Sequence, residues 1–228
     1  MTRHVQIVLS NPVETAREAE FNDWYTNQHI PDLMTLPGFV RAQRFRLANS
    51  FRDPRGGPTW RYMVYYELDT PDLGQMLTDL VDAHSDGRIT VSDVLHNETL
   101  TALVYSPVAP FHGEAGRRRQ IFVALSNPSE GREDDFNIWY DNQHVPDVVS
   151  IPGFKGAERF KLAIPFLDPL AGGQYLAIYD VDTDDIDALA ALVRENAVTG
   201  KTVMSDAIDM KTLTALFFEP VGGVITPL

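Results

Sequence analysis

The segment FNDWYTNQHIPDLMTLPGFVRAQRF, residues 21–45, decides the organisation of this 228-residue chain because it occurs twice. Residues 136–160 read FNIWYDNQHVPDVVSIPGFKGAERF, and 15 of the 25 paired positions are identical. Unrelated segments of this length share only about one or two residues, so the second copy indicates an internal repeat.

The repeat extends beyond this segment and predicts two modules of similar size. TLTAL occurs at 99–103 and again at 212–216. A module of roughly 110 residues lies within the usual range of domain sizes. We predict a first module over residues 1–108, a linker marked by proline and glycine over 109–118, and a second module over 119–228.

Hydrophobic periodicity predicts the same order of elements in both halves, strand–helix–strand–strand–helix–strand. In the first half these are strand 4–9, helix 15–29, strands 39–48 and 60–68, helix 72–83 and strand 98–105. In the second half they are strand 120–125, helix 133–144, strands 154–164 and 175–181, helix 184–195 and strand 212–218. Pro31 is expected to end the first helix, because the residue before a proline disfavours helical geometry. Asp-Pro and Gly-Gly recur in the loops 50–59 and 165–174, which suits a shaped turn or a lid.

This order of elements is that of the ferredoxin-like, or split βαβ, unit. Such a unit covers one face of its sheet with helices and leaves the other face in need of a partner. We therefore predict an α+β fold in which tandem ferredoxin-like repeats pack sheet to sheet as an intramolecular α+β barrel. The protein would be a monomer that is itself a pseudo-dimer, or a homodimer of pseudo-dimers.

The composition argues against several classes of partner. The formal net charge of −13 disfavours nucleic acid and anionic membrane surfaces. The one basic run, 117–119, is interpreted as a solvated approach to a strand. The chain has no cysteine, which excludes disulfides, thiolate nucleophiles and cysteine-ligated zinc. No apolar run approaches the ~20 residues of a membrane span, and the first residues read as a strand, so a cytoplasmic location is expected.

The combination of WYTNQHIP at 24–31, PGF at 37–39 and RF at 44–45 resembles the signature of EthD-like proteins of the dimeric α+β barrel superfamily. The resemblance covers each half and implies two such modules fused in tandem. Members of the superfamily include cofactor-free monooxygenases, muconolactone-type isomerases, polyketide cyclases, dehydratases and haem enzymes. The resemblance therefore implies a fold strongly and a reaction weakly. In the smaller members the ligand pocket lies between the sheet and the helices of one module.

His29 and His144 are the candidate catalytic residues, together with Tyr25 and Tyr140, which each precede a histidine by four positions. Side chains at i and i+4 share a helix face, so each Tyr–His pair can reach one cavity. A histidine is a serviceable general base near neutral pH, and a phenol can donate to a developing oxyanion. The alternative is structural: His29 and Gln28 would bond the carbonyl groups freed at the end of the helix.

The same motif supplies the candidate substrate-binding residues, four in each half. They are Phe21, Trp24, Gln28 and Arg44, with Phe136, Trp139, Gln143 and Arg159. Aromatic rings would form walls for a planar substrate, although the tryptophans also suit core packing. The arginines would bind an anionic group or pair with a cross-strand acid, Glu67 or Asp180. Asp32 and Asp147 would cap a helix start or orient the histidine.

The sequence gives little support to a metal or a cofactor. The pattern His-x-Pro-Asp offers two ligands per half, and no second histidine lies at helical spacing to complete the set. Haem, with His29 or His144 as axial ligand, is an alternative because haem proteins exist on this fold. Nucleotide-binding and serine-hydrolase motifs are absent from the sequence. We therefore predict a colourless, metal-free protein without a cofactor.

The halves also differ at paired positions. His96 stands where the second half has Asp209, and Tyr65 stands where it has Ile178. Arg41 is matched by a glycine, at position 156. Either both pockets act on the same ligand or one has become structural, and the sequence leaves both possibilities open.

These observations favour a cofactor-independent enzyme for a small apolar carbonyl compound, aromatic or polyketide-like. The reaction would be a proton transfer that leads to isomerisation, elimination (dehydration) or cyclisation, with a histidine as the base. A cofactor-free monooxygenase is the nearest enzymatic alternative. A non-catalytic accessory protein that binds such a metabolite is the alternative from another class.

Overall fold

The computed structural model describes residues 2–54, 60–114, 120–167 and 173–227. In the first half the strands are β1 (Thr2–Ser10), β2 (Phe39–Arg52), β3 (Tyr62–Thr70) and β4 (Thr101–Pro107), and the helices are α1 (Glu18–Trp24), α2 (Ile30–Leu33) and α3 (Leu73–Ser85). A short strand, β5 (His112–Gly113), follows. In the second half the strands are β6 (Gln120–Ser126), β7 (Phe154–Leu167), β8 (Tyr175–Val181) and β9 (Thr214–Ile225), and the helices are α4 (Glu133–Trp139), α5 (Val145–Val149) and α6 (Ile186–Thr199).

Eight antiparallel strands close into a barrel in the order β4-β1-β3-β2-β9-β6-β8-β7, and β4 pairs with β7 to complete the ring. The two seams between the halves are β2 with β9 and β4 with β7. Closure removes unpaired sheet edges, which would otherwise invite association. The predicted α+β barrel is confirmed at this level. β5 lies in the predicted linker and pairs with the edge of β7, and the module boundaries stay a prediction.

The side chains of the strands alternate between two environments. On β1, Val5, Ile7 and Leu9 join an apolar cluster that also contains Phe160 and Phe218 from the second half. Between them, Val8 belongs to a second cluster with the first-half helices. Period-two alternation therefore gives each sheet one face toward the other half and one face toward its own helices. The helix-covered face of the second half forms a third cluster.

The first helix of each half differs from the predicted one in a way that shapes the site. The prediction that Pro31 ends the helix is wrong: a π turn over Tyr25–His29 leads directly into α2, and Ile30 keeps helical angles, φ −66° and ψ −46°. The Ile30 N–H donates to the Tyr25 carbonyl, five residues back. The wider turn makes room for the proline ring, which an ordinary helical turn would exclude. The second half repeats this with a π turn over Tyr140–His144.

Strands β2 and β7 are longer than predicted because their ends pair with the opposite half. Arg52 lies opposite Ala215 of β9, and Leu167 lies opposite Ala102 of β4. Phe51 thereby packs against the helix-side core of the second half, and Phe166 packs against that of the first. Each half thus covers part of the other. The basic run 117–119 and much of the two predicted lid loops lie outside the described residues.

None of the described helices is long and apolar enough to cross a membrane.

Candidate active site

The π turn brings each Tyr–His pair together at the helix-covered face of its sheet. The ring centroids of Tyr25 and His29 are 5.1 Å apart, and those of Tyr140 and His144 are 4.9 Å apart, both edge to face. Each imidazole also lies against a tryptophan, with a centroid distance of 4.8 Å to Trp24 in the first half. Because π turns in long helices are frequently found at functional sites, the geometry marks both turns as candidates.

Both imidazoles are held in their neutral form. Burial, together with the nearby His84, lowers the pKa of His29 from 6.5 to about 4. Burial also lowers the pKa of His144 to about 4, although the Asp147 carboxylate acts in the opposite direction. The Nδ1 atoms of both histidines are buried and lack a hydrogen-bond partner among the described residues. A neutral imidazole in an apolar setting can accept a proton at any pH above its depressed pKa.

A second tyrosine stands beside each pair. Burial raises the pKa of Tyr25 to about 12, against the opposing effect of Arg44. Burial likewise raises the pKa values of Tyr66 and Tyr179, the neighbours on β3 and β8. The hydroxyl groups of Tyr66 and Tyr179 have no hydrogen-bond partner within the described ranges that meets ordinary geometry. Protonated phenols of this kind are available to donate to an oxyanion.

Arg44 and Arg159 lie beneath the tyrosines. The guanidinium carbon of Arg44 is 4.9 Å from the Tyr25 ring centroid, and Arg44 donates to the carbonyl and side chain of Asn22. Arg159 forms an ion pair with Asp141 and donates to the side chain of Asn137. The expected pairing of these arginines with Glu67 and Asp180 is therefore wrong. Glu67 instead accepts from Arg41 and Arg3.

A cavity of about 360 Å³ opens beside His144, and we term it the second-half cavity. It is lined by Phe51, Arg52, Phe122, Ala124, Tyr140, His144, Val148, Tyr179, Val193, Arg194, Ala197, Val198, Thr202, Met204, Ile208, Met210, Leu213 and Ala215. Most of the wall is apolar, and its volume falls within the range of sites for drug-sized ligands. Phe51 and Arg52 come from the first half.

The matching cavity beside His29, the first-half cavity, holds only about 80 Å³. It is lined by Gln6, Val8, Tyr25, His29, Leu33, Tyr66, Leu80, His84, Val91, Leu95, Leu100, Ala102, Phe166 and Leu167. The same framework of two tyrosines and one histidine therefore surrounds a small void in one half and a ligand-sized one in the other.

The difference in volume follows from wall residues outside the repeated motif. The capping aspartates Asp72 and Asp185 align the second helices of the two halves, which pairs His84 with Ala197. The imidazole of His84 fills space that the Ala197 methyl group leaves open. Smaller residues also replace larger ones at three further wall positions, Leu80/Val193, Leu33/Val148 and Val8/Ala124. Three replacements act in the opposite direction, Gln6 by Phe122, Val91 by Met204 and Leu167 by Arg52, but they do not outweigh the others.

All eight predicted substrate-binding residues lie outside both cavities. Phe21 and Phe136 are fully buried, each in contact with its tyrosine. Trp24 packs against the ring of His29, and Trp139 against that of His144. These aromatic side chains support the Tyr–His pair from behind.

The two glutamines and two aspartates of the motif also lie away from the cavities. Gln28 is exposed and donates to the hydroxyl of Thr90 at 2.9 Å. Gln143 is exposed and donates to Asp147 at 2.8 Å. Asp147 in turn accepts from the Val203 N–H, and Asp32 is partly buried. Neither glutamine bonds a freed helix carbonyl, so the alternative structural role for the glutamine is wrong.

Sequence reasoning missed His84, Phe51, Arg52 and Arg194. Nothing in their spacing marks them, because each reaches its cavity through tertiary packing. Tyr66 and Tyr179 could have been found, since YMVYY at 62–66 and YLAIY at 175–179 repeat each other in register. The differences at His96/Asp209, taken as a sign of asymmetry, lie outside both cavities.

A wider, open groove of about 710 Å³ is lined by polar residues, including Glu18 and Arg61, and does not touch either imidazole. Within the described ranges, no group of three or more His, Asp or Glu side chains is placed to hold a metal ion.

The fold is similar to those of several solved structures. A crystal structure of an anthrone oxidase-like protein superimposes with a TM-score of 0.62 over 99% of this chain and 93% of that one, at 12% identity. A candidate monooxygenase from Lactobacillus acidophilus NCFM superimposes with a TM-score of 0.51 over 100% of this chain and 97% of that one, at 8% identity. At such identities the likeness concerns the fold.

Sequence similarity is confined to a shorter stretch. The chain is 35% identical over 69 residues to core atranone cluster (CAC) protein 1 of Stachybotrys chlorohalonatus (strain IBT 40285). The match covers 30% of this chain and about a quarter of the length of that relative, 26%. No protein-family model matches the chain.

Proposed function

We propose that this chain is a small-molecule enzyme whose reaction takes place in the second-half cavity. The observation that carries the proposal is the meeting of a neutral imidazole, His144, with two protonated phenols, Tyr140 and Tyr179, at an apolar cavity of about 360 Å³. The proposed substrate is a planar, largely apolar carbonyl compound of the aromatic or polyketide-like class. The cavity walls match such a molecule in size and polarity.

The proposed first step is a proton transfer. The imidazole of His144 takes a proton from the carbon next to the substrate carbonyl, and the electron pair of the C–H bond moves into the carbonyl to give an enolate. Tyr140 or Tyr179 donates a hydrogen bond to the enolate oxygen. Burial disfavours an imidazolium that has no negative partner. The enolate supplies that negative charge, so the imidazolium is stabilised while the substrate is bound.

The enolate has several proposed fates that need no cofactor. Return of the proton to another carbon gives isomerisation, loss of a leaving group gives elimination, and attack on a second carbonyl gives cyclisation. The fold likeness to an anthrone oxidase-like protein favours a further fate, reaction of an electron-rich carbanion with O₂. In that reaction a CH₂ group and O₂ yield a C=O group and water.

We also propose that the chain consists of two EthD-like modules of the ferredoxin-like type, and that it functions as a monomeric pseudo-dimer or as a dimer of pseudo-dimers. The repeated Tyr–His π turn and the equivalent strand orders β4-β1-β3-β2 and β9-β6-β8-β7 support two related modules. The closed barrel supports a chain that is stable as a monomer, because both faces of its sheet are covered without a second polypeptide.

The test is turnover of anthrones and related cyclic enolisable ketones, followed by absorbance and by oxygen uptake. His144→Gln should reduce kcat by about 10²–10⁴-fold, the usual effect of losing a general base. His29→Gln is the matched control, because the same substitution in the first half alters a void of only about 80 Å³. Equal loss in both variants would contradict the assignment to the second half. Binding without turnover across the panel would favour the accessory-protein alternative.

A further inference from the structure

Two arginines stand at the second-half cavity, and they come from opposite halves of the chain. Arg52 lies at the end of β2 and Arg194 lies on α6, and both line the cavity. Arg52 corresponds to Leu167 in the repeat, and Arg194 corresponds to Val81. The cationic groups are therefore specific to the larger cavity.

Arg194 contacts the residue next to Arg52. An Arg194 Nη atom donates to the carbonyl of Phe51 at 3.2 Å, and Phe51 directly precedes Arg52. The Arg194 guanidinium also lies 4.5 Å from the centroid of the Phe51 ring. Arg52 donates to the carbonyl of Met210 at 2.5 Å. Both side chains are therefore held by neutral groups.

Neither arginine has a carboxylate partner among the described residues. Elsewhere in the described chain most arginines do, in pairs such as Arg61–Glu18, Arg88–Asp86 and Arg159–Asp141. The chain has 32 acidic and 19 basic residues, so acids are plentiful. Each guanidinium has five N–H donors, and the Nε atom of Arg52 is buried without a partner in the described ranges.

We propose that the ligand of the second-half cavity is an aromatic anion. Its planar body lies among the apolar wall residues, and its anionic group, a carboxylate or an equivalent oxyanion, is bound by Arg52 and Arg194. Charge-assisted, forked contacts with guanidinium groups are well suited to such a group. The inference rests on the proposed function in that it concerns the same cavity. It adds the charge of the substrate and assigns specificity to a residue from each half.

The proposal is tested with two probes that share an aromatic body and differ in charge. These are 8-anilinonaphthalene-1-sulfonate and the neutral N-phenyl-1-naphthylamine, titrated by fluorescence against the full chain. The wild-type protein should bind the sulfonate about ten-fold more tightly than the neutral probe, the ratio expected of one strong charged contact. Arg52→Gln together with Arg194→Gln should abolish this preference and leave neutral-probe affinity within about two-fold.

Two controls separate specific from general effects. Arg88→Gln removes the same charge from an exposed ion pair elsewhere and should leave both affinities unchanged. Ala197→Phe fills the cavity and should abolish binding of both probes. If that variant does not fold, Ala197→His, which reproduces the first-half residue, serves the same purpose.

The outcomes distinguish this proposal from the proposed function. If the cavity-filling variants abolish binding but the double arginine variant keeps the sulfonate preference, the anion inference is wrong and the proposed function stands. If the preference persists in the filled variants, the sulfonate binds elsewhere and the inference is overturned. If neither probe binds the wild-type protein, both the inference and the assignment of the cavity as a ligand site are contradicted.

Discussion

The two halves share one scaffold and differ in what it encloses. Both place a histidine near 5 Å from a buried tyrosine at a π turn, and both lower the imidazole pKa to about 4. Yet one half leaves about 80 Å³ and the other about 360 Å³. The repeated motif builds the Tyr–His geometry, whereas residues outside the motif set the volume of the cavity beside it.

Exchanging the wall residues gives the largest expected effect. Ala197→His should lower turnover by at least about 100-fold, because it fills the second-half cavity and misplaces the substrate. The reciprocal His84→Ala should leave turnover unchanged and enlarge the first-half cavity. Steady-state kinetics and the stoichiometry of neutral-probe binding measure the two effects. An active Ala197→His variant would contradict the view that the volume of the second-half cavity is needed for turnover.

The depressed histidine pKa values predict a pH dependence that both halves share. Below pH 6.5 the unfolded chain protonates each imidazole, whereas the folded chain does so only below about 4. The free energy of unfolding should therefore fall as the pH is lowered through this window, by about 1.4 kcal/mol per pH unit for each histidine. The His29→Gln/His144→Gln variant should show a shallower slope between pH 4 and 6.5 in urea denaturation. Identical slopes in wild type and variant would contradict burial of neutral imidazoles.

The buried arginines offer a sharper contrast of stability. Asp141→Asn removes the carboxylate beside Arg159. It should lower the free energy of unfolding by about 2 kcal/mol, because the buried guanidinium loses its counter-charge. The partial exposure of Asp141 keeps this loss below that of a fully buried pair. In the first half, Thr26 occupies the equivalent place, and its uncharged hydroxyl accepts a hydrogen bond from Arg44. Thr26→Asp should consequently stabilise the protein. Urea denaturation of the two single variants measures both changes, and equal signs would contradict the comparison.

The smallest expected effect concerns the unpartnered phenols. Tyr66→Phe and Tyr179→Phe each remove a buried hydroxyl that lacks a well-formed hydrogen bond in the described structure, so neither should cost more than about 1 kcal/mol of stability. Only Tyr179→Phe should reduce kcat, because Tyr179 lines the larger cavity and Tyr66 lines the smaller one. Thermal melts and kinetics of the pair, measured side by side, test this separation. A loss of kcat in Tyr66→Phe would place chemistry in the first half as well.

The sequence was informative where local pattern governs structure. Period-two alternation in the strands and the repeated segment at 21–45 and 136–160 led to the barrel and to the Tyr–His pairs. Both signals are local, since strand faces and the i, i+4 relation depend only on nearby residues. Each Tyr–His pair lines a cavity, and the catalytic role of these residues stays a prediction.

The sequence was uninformative where distant segments decide. The residue preferences around proline predict that the first helix ends before Pro31. The structure has a π turn there that accommodates the proline ring, and no simple sequence rule anticipates such a turn. The extensions of β2 and β7 depend on partners far away in the chain, Ala215 for Arg52 and Ala102 for Leu167. Cavity volume depends on walls from several elements, so residues such as His84 and Ala197 carry no local signature.

The reciprocal covering of the halves has a consequence for how this chain can change over generations. Because β2 of the first half supplies Phe51 and Arg52 to the second-half cavity, changes in the first half would also alter the wall of that cavity. A duplicated copy that lost its reaction would therefore not decay freely. Mutations in β2 would alter the wall of the second-half cavity, so the two halves would be retained together.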